Sequence, residues 1–141
     1  MTLLEKALLL ALRAHLGRTD KAGQPYVFHP LRLLLTLDTE EEKMTALLHD
    51  VVEDSDITLE ELRQAGIPET VVQAVDALTR RKPEESYEEY IERAARHSVA
   101  RRVKQADLRD NMDISRLTEL TARDIQRLTR YLHAWRFLQS E

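Results

Sequence analysis

The residues best suited to chemistry lie together in residues 49–54, which read His-Asp-Val-Val-Glu-Asp. This run holds one imidazole and three carboxylates, those of His49, Asp50, Glu53 and Asp54. On a helix the second pair lies one turn beyond the first, so all four side chains would surround a single edge. Carboxylates crowded in this way repel one another unless a cation or water relieves them. The run is therefore typical of a metal-binding edge or, equally on charge alone, of a solvated acidic helix face.

Two residues elsewhere could complete a metal site. His29 is followed by Pro30, which fixes the direction of the chain at that point. Asp107 lies between apolar residues in a predicted helix, and aspartate is a poor residue for a helix interior unless it has a partner. Two imidazoles and two carboxylates would form a mixed site that suits Mn²⁺, Fe²⁺ or Zn²⁺ better than Ca²⁺. The candidate ligands are His29, His49, Asp50 and Asp107.

A string of helices must position these residues, because no segment alternates between apolar and polar residues as half-buried strands do. Capping-box patterns at Thr58 and Ser86, each with a glutamate three residues later, predict two helix starts. Gly17 is typical of the position just beyond a helix end. The predicted fold class is all-α. The predicted helices cover residues 2–16, 30–37, 40–54, a short stretch from 58, 69–78, 86–96, 99–111 and 121–139.

The composition limits the class of protein. With 141 residues, 43% apolar and 33% charged, the chain is long enough for one globular domain with a core. The absence of cysteine excludes a disulfide scaffold, cysteine-bound zinc, Fe–S clusters and thiol catalysis. The apolar run at residues 7–12 is too short to span a bilayer. The net charge of −4 argues against binding nucleic acid over the whole surface. We therefore expect a cytoplasmic protein with no membrane or nucleic-acid partner.

Four longer strings carry a resemblance to a known family. They are Ala-His-Leu-Gly at 14–17, Lys-Ala-Gly-Gln-Pro-Tyr-Val-Phe-His-Pro at 21–30, Ala-Leu-Leu-His-Asp-Val-Val-Glu-Asp at 46–54, and Val-Lys-Gln-Ala-Asp at 103–107, followed by Asn111. Over residues 7–116 the chain resembles the hydrolase domain of RelA/SpoT enzymes and the small stand-alone alarmone hydrolases, which are HD-domain metal phosphohydrolases. The resemblance implies a compact multi-helix HD-domain bundle, with one HD-type hydrolase domain over residues 1–141.

The resemblance also implies an activity and the residues that perform it. The family resembled here uses a divalent metal, most often Mn²⁺, and a metal-activated water to remove the 3′-pyrophosphate from guanosine tetra- or pentaphosphate. The positions that match the family's metal ligands are His29, His49, Asp50 and Asp107. Glu53 and Asp54 match the acidic pair that handles the attacking water, and Asn111 matches a residue close to the nucleotide.

Two lysines are candidates for neutralising substrate phosphates. Lys21 lies in a polar loop and could equally be solvated, whereas Lys104 lies one turn before Asp107 and could simply pair with it. Asp110 is expected to be a surface charge. Asp20 stands where alarmone hydrolases usually have an arginine, and an aspartate there would repel phosphates. Another nucleotide or phosphoester is therefore an alternative substrate, and a non-catalytic helical regulatory module is an alternative to an enzyme.

The last predicted helix carries an apolar stripe at spacings of three, four and three residues, formed by Ile125, Leu128, Leu132 and Trp135. Such a stripe could be the seam of a homodimer. Packing against the domain's own helices is its more frequent use, and is what we expect here.

Overall fold

A computed structural model describes residues 1–140, which fold as helices joined by short loops. Within these residues there are nine α-helices, one 3-10 helix at Ile114–Arg116, and no strand beyond an isolated bridge between Thr19 and Pro25. The prediction of an all-α fold is confirmed. The helices are α1 (Leu3–His15), α2 (Phe28–Thr36), α3 (Glu40–Leu48), α4 (Val51–Asp54), α5 (Leu59–Gln64), α6 (Glu69–Ala77), α7 (Tyr87–Ala95), α8 (Ser98–Asn111) and α9 (Ala122–Gln139).

Several helices begin at a capping box, in which the cap residue and the third helical residue satisfy each other's backbone N–H groups. The two predicted boxes are present: the hydroxyl oxygens of Thr58 and Ser86 each lie 3.1 Å from the backbone nitrogen of the glutamate three residues later. Further boxes start α1, α3 and α9, at Thr2, Thr39 and Thr121. Each cap contributes about 1 kcal/mol to stability, so the helix starts are well defined by the sequence.

The loop between α1 and α2 is ordered by its own polar groups. Gly17 has a φ of +82°, the left-handed conformation predicted for a residue just beyond a helix end. The Asp20 carboxylate accepts hydrogen bonds from the backbone nitrogens of Ala22 and Gln24, each at 2.9 Å. Asp20 therefore acts as the local cap of a turn, a role that short acidic side chains often have in loops.

Helix α2 begins at Phe28, two residues before the predicted start at residue 30. His29 and Pro30 therefore both lie in its first turn, and both are buried. Proline is tolerated there because the first N–H groups of a helix have no acceptor within the helix. This start directs His29 into the interior of the molecule.

Helix α3 is at the centre of the fold and packs against α1, α2, α6 and α8. Its residues from Met44 to Leu48 are buried, together with Val51 of α4, whereas Val52 is only partly buried. Helix α6 buries Val71, Val72 and Val75, and Leu78, which follows its last residue, is buried as well. The core around α3 holds the end of this helix rigidly, which matters because His49 follows directly.

The predicted continuous helix over residues 40–54 is wrong, because α3 and α4 are separated by His49 and Asp50. Asp50 has φ −104° and ψ 0°, and its carbonyl accepts the Asp54 N–H at 2.9 Å to start α4. The His49 ring nitrogen Nδ1 lies 2.7 Å from the Ala46 carbonyl, and such local side-chain bonds compete with regular helix bonds. In a regular helix, adjacent side chains point about 100° apart. The break between α3 and α4 instead turns the side chains of His49 and Asp50 towards each other.

The longest helix, α9, packs against α7 and α8 with a face that includes Trp135 but not the whole predicted stripe. Ala134 and Leu138 are its buried residues, whereas Ile125 and Leu132 are 54% and 42% exposed. The expected internal packing is therefore wrong for these two residues, because only the face towards α7 and α8 is covered. None of the helices within residues 1–140 is long and apolar enough to cross a membrane.

Candidate metal centre and adjoining cleft

Two histidines and two aspartates from three parts of the chain meet inside the molecule. His29 comes from α2, His49 and Asp50 from the junction of α3 and α4, and Asp107 from α8. One potential ligand atom from each of His29, His49 and Asp50 lies within 4.8 Å of the other two. Asp107 Oδ1 lies 2.8 Å from His29 Nε2 and 3.4 Å from His49 Nε2. The structure thus brings together the four side chains that were expected to bind a metal, while their role as ligands stays a prediction.

The four side chains are largely shielded from solvent. His29, His49 and Asp107 are 5%, 3% and 5% exposed, and Asp50 is partly buried. Burial alone would raise the pKa of Asp107, but Lys104 and the two imidazoles outweigh it and hold that pKa well below its usual range. Both aspartates are therefore charged at neutral pH, since His49 likewise outweighs burial and lowers the pKa of Asp50.

Hydrogen bonds on the far side of each imidazole decide which ring nitrogen faces the aspartates. The His49 nitrogen Nδ1 must donate to the Ala46 carbonyl, 2.7 Å away, because a carbonyl can only accept. His29 lies between two carboxylates, with Nδ1 2.7 Å from Asp110 Oδ2 and Nε2 2.8 Å from Asp107 Oδ1, and donation from Nδ1 to Asp110 gives the neutral form whose Nε2 can bind a cation. In the neutral rings, both Nε2 atoms then present a lone pair to carboxylate oxygens, and His49 Nε2 has no hydrogen-bond partner of acceptable geometry among the described residues.

This arrangement fits a divalent cation. A lone pair facing a carboxylate is repulsive unless the ring takes up a proton or a cation lies between the two groups. Without a cation, the carboxylates outweigh burial and raise the pKa of both His29 and His49. Imidazoles whose second nitrogen donates to a carboxylate or a backbone carbonyl are the usual form of histidine ligands in metal sites. The residues present therefore match a mixed nitrogen and oxygen metal site.

Lys104 is buried against Asp107 rather than open to a ligand. Its ammonium lies 2.7 Å from Asp107 Oδ2 and 5.0 Å from the centre of the Tyr90 ring. The side chain is 10% exposed. This position corresponds to the alternative of pairing with Asp107, and a contact between Lys104 and substrate stays a prediction.

Tyr26 orients the carboxylate of Asp50 through a hydrogen bond. Its hydroxyl donates to Asp50 Oδ2, and its ring lies between those of His15 and His29, with centroid distances of 4.7 and 5.7 Å. Burial and the adjacent Asp50 raise the pKa of Tyr26, so the hydroxyl keeps its proton and remains a donor. His15 is buried at the end of α1.

The predicted acidic pair lies one turn further along, on α4. The carboxylate of Glu53 accepts from the backbone nitrogen of Arg80 at 2.9 Å, and that of Asp54 lies 3.2 Å from Arg18 Nη1. Neither belongs to the group of ligand atoms that lie within 4.8 Å of one another. Glu53 and Asp54 thus flank the centre without entering it.

A cleft of about 300 Å³ opens beside the centre and is lined by residues of both signs. Asn111 links the two sites, because its Nδ2 donates to Asp107 Oδ1 at 3.2 Å while the residue also lines the cleft. The cations at the cleft are Arg18, Lys21, Arg116 and Arg127, and the acids are Asp20, Asp113 and Asp124. The predicted substrate residues Lys21 and Asn111 therefore lie at the cleft, together with arginines that sequence reasoning did not single out.

The expectation that Asp110 is a surface charge is wrong. Its side chain is 12% exposed and contacts His29, and the guanidinium of Arg32 binds both of its oxygens. The available signal was the spacing of three residues from Asp107, which places two carboxylates on one face of α8. That spacing alone does not say which imidazole lies against them.

No family model matches the chain, but several curated proteins match part of it. The chain is 37% identical over 81 residues to guanosine-3′,5′-bis(diphosphate) 3′-pyrophosphohydrolase of Vibrio cholerae, which covers 55% of this chain and 11% of the relative. It is 41% identical over 66 residues to the bifunctional (p)ppGpp synthase/hydrolase SpoT of Escherichia coli, which covers 43% and 9%. The chain therefore spans about a tenth of the length of these relatives.

A solved structure matches the fold over nearly the full chain. It is a metazoan orthologue of SpoT, described as hydrolysing ppGpp and acting in starvation responses, with a TM-score of 0.79 and 27% identity. The match covers 99% of this chain and 86% of that protein. The helical fold and the His/Asp centre are similar to those of HD-type hydrolases. Within that class, the chain is RelA/SpoT hydrolase-like in sequence and in fold.

Proposed function

We propose that the protein is a divalent-metal-dependent phosphohydrolase that removes the 3′-pyrophosphate from guanosine tetra- or pentaphosphate. The Vibrio and Escherichia relatives are named for this hydrolysis, the latter also for synthesis. The observation that carries the proposal is the meeting of two imidazole Nε2 atoms with two carboxylates beside a cleft that contains four cations.

His29, His49, Asp50 and Asp107 would hold the metal, for which we propose Mn²⁺, with Fe²⁺ and Zn²⁺ as alternatives. When bound, a divalent cation makes water acidic enough to act as a nucleophile near neutral pH and draws charge from phosphoryl oxygens. The protein itself orients the proposed ligands through hydrogen bonds. The Ala46 carbonyl lies against His49 and the Asp110 carboxylate against His29, and the Tyr26 hydroxyl donates to Asp50.

The acidic pair Glu53 and Asp54 would orient the attacking water and accept its proton. Each carboxylate has two oxygens, so one can be anchored, by Arg80 or Arg18, while the other accepts the proton. Attack on the phosphorus attached to the ribose 3′ oxygen breaks that P–O bond. The products are pyrophosphate, which carries the oxygen of the attacking water, and guanosine 5′-diphosphate or 5′-triphosphate, whose 3′ oxygen takes up a proton to become a hydroxyl.

The cleft would bind the phosphates of the substrate. A guanosine tetraphosphate carries several negative charges, and Arg18, Lys21, Arg116 and Arg127 supply positive charge around Asn111. Burial and the neighbouring Arg127 lower the pKa of Lys21, as expected where positive charges lie close together. These residues could replace the arginine that is missing at position 20.

The test is release of pyrophosphate from guanosine tetraphosphate by manganese-loaded protein. We expect release by the wild type and a rate lower by about 10²- to 10⁴-fold in Glu53→Gln, with metal content unchanged. Glu92→Gln, an exposed glutamate on α7, is the matched control and should keep full activity. Absence of release above background would reject this substrate, and an unchanged rate in Glu53→Gln would reject the assigned role of Glu53.

A second candidate substrate is another nucleotide or phosphoester, and Asp20 is the observation that favours it. Asp20 lines the cleft, and its charge opposes phosphate binding even though it also orders the loop. A panel of nucleotides and phosphoesters assayed with the same loaded protein separates the two candidates. Turnover of a panel member but not of guanosine tetraphosphate would favour the second. A non-catalytic regulatory module is the remaining alternative, which turnover of any panel member would reject.

Three expectations, about domain extent, localisation and oligomeric state, also remain proposals. We propose that residues 1–141 form one HD-type domain and that the protein is cytoplasmic. The homodimer considered for the last helix stays a prediction. Ile125 and Leu132 are exposed in the single chain, and a second copy of the chain is one partner that would cover them. Light scattering after size-exclusion chromatography would give the oligomeric state.

A further inference from the structure

Helix α8 holds the ring of His29 at both nitrogens. Asp107 Oδ1 lies 2.8 Å from Nε2, and Asp110 Oδ2 lies 2.7 Å from Nδ1. The two aspartates are three residues apart, so they lie on one face of the helix. Asp107 lies on the Nε2 side of the ring, with His49 and Asp50, whereas Asp110 lies on the Nδ1 side, behind the ring.

Asp110 is itself held in one orientation. The Arg32 guanidinium donates from Nε to Oδ1 at 2.8 Å and from Nη2 to Oδ2 at 2.9 Å, a two-point contact that fixes the plane of the carboxylate. Arg116 donates to the Asp110 backbone carbonyl at 2.9 Å, and the same nitrogen lies 3.6 Å from Oδ2. The side chain of Asp110 is 12% exposed, so these bonds are largely protected from water.

We propose that Asp110 is a positioning residue for the metal centre and that Arg32 holds it in place. By accepting the Nδ1 proton, Asp110 selects the form of His29 whose Nε2 lone pair faces the other ligands. Its charge also makes Nε2 a stronger electron donor. The inference rests on the proposed function, because it requires that His29 bind a metal.

The comparison with His49 shows why a side chain is needed here. His49 is oriented by the backbone carbonyl of Ala46, which no substitution of a side chain removes. The orientation of His29 instead depends on Asp110, a carboxylate that can be changed. The metal affinity of this protein is therefore sensitive to the side chain at position 110.

The experiment measures the affinity for Mn²⁺ alone, from the electron paramagnetic resonance signal of free Mn²⁺ during titration of the metal-free full chain. Asp110→Ala should weaken binding by about 10- to 100-fold. Asp110→Asn should lie between this variant and the wild type, because its amide oxygen can still accept the Nδ1 proton. The control is Asp38→Asn, which removes an exposed carboxylate that also pairs with an arginine, Arg102, and should bind as the wild type does.

A second variant covers the case in which Asp110→Ala does not fold. Arg32 is 32% exposed, so Arg32→Met should fold, as circular dichroism would verify, and should weaken Mn²⁺ binding by about 3- to 10-fold through loss of the clamp. Wild-type affinity in folded Asp110→Asn and Arg32→Met would overturn this inference and leave the proposed function standing. A wild-type chain that binds no Mn²⁺ would overturn both.

Discussion

The ammonium of Lys104 compensates the negative charge of Asp107 inside the protein. The ammonium lies 2.7 Å from Asp107 Oδ2, and this pair is almost completely buried. We predict that Lys104→Met lowers the free energy of unfolding of the metal-free protein by on the order of 3 kcal/mol, because a buried charge loses its partner. Urea unfolding measures this change.

The matched control for this prediction is Lys21→Met at the exposed cleft. It should change the free energy of unfolding by less than about 0.5 kcal/mol, as surface substitutions usually do. If Lys104→Met were as stable as the wild type and raised only the KM for substrate, Lys104 would be a phosphate ligand, as the sequence analysis first suggested.

Residue types were informative about the centre but not about its supports. His29, His49, Asp50 and Asp107 could be named from the sequence, because histidines and aspartates in apolar contexts need polar partners or a metal. Asp110 could not, because its neighbours Arg109 and Asn111 are polar, a context that predicts a solvated charge, and nothing local indicates that Arg32 and His29, 78 and 81 residues away, lie against it. Contacts over such distances depend on the tertiary fold, which local spacing does not encode.

Helices α6 and α7 are joined by Arg93 and Glu85, and this connection depends on pH. Arg93 donates to backbone carbonyls at the end of α6 and is paired with Glu85 at 2.7 Å. The hydrogen bonds from Arg93 lower the pKa of Glu85 from the usual 4.5 to about 2. Because the pKa of Glu85 is lower in the folded protein than in the unfolded chain, the ionised Glu85 stabilises the folded state at pH values above about 4.5. This stabilisation is lost as the pH falls towards 2.

We therefore predict that Glu85→Gln lowers the free energy of unfolding by about 1–3 kcal/mol at pH 6. The difference from the wild type should shrink between pH 4.5 and pH 3. Urea unfolding at a series of pH values measures it, with Glu84→Gln as the control for losing an exposed carboxylate. A difference that stays constant over this range would show that the ion pair does not contribute as described.

Helix starts were easier to predict than helix interiors. Capping boxes such as those at Thr58 and Ser86 are local patterns of four residues, and both were confirmed. The break at His49 was missed because it depends on a side chain that bonds to the carbonyl of Ala46. The buried face of α9 was also missed, because the apolar residues Ile125 and Leu132 have no neighbour that covers them among the described helices.

The complete fold is needed to assemble the centre, since its candidate ligands come from α2, the α3–α4 junction and α8. The unfolded chain cannot bring them together, so metal binding should stabilise the folded protein. At a free metal concentration of 100 times Kd the gain is about 2.7 kcal/mol. For a protein of this size, that corresponds to a rise in Tm of about 5–10 °C.

A thermal scan with Mn²⁺ and with a chelator measures this rise. His49→Ala should abolish it, whereas His133→Ala, an exposed histidine on α9, should leave it intact. An equal rise in His49→Ala would mean that Mn²⁺ stabilises the protein from some other position.

The most direct measurement is a crystal structure of the manganese-loaded protein with anomalous diffraction data, which locate the metal independently of any assumption about ligands. We expect an anomalous peak within coordination distance of His29 Nε2, His49 Nε2, Asp50 and Asp107. A peak bound elsewhere, or no peak at these four side chains at saturating Mn²⁺, would contradict the proposed metal centre.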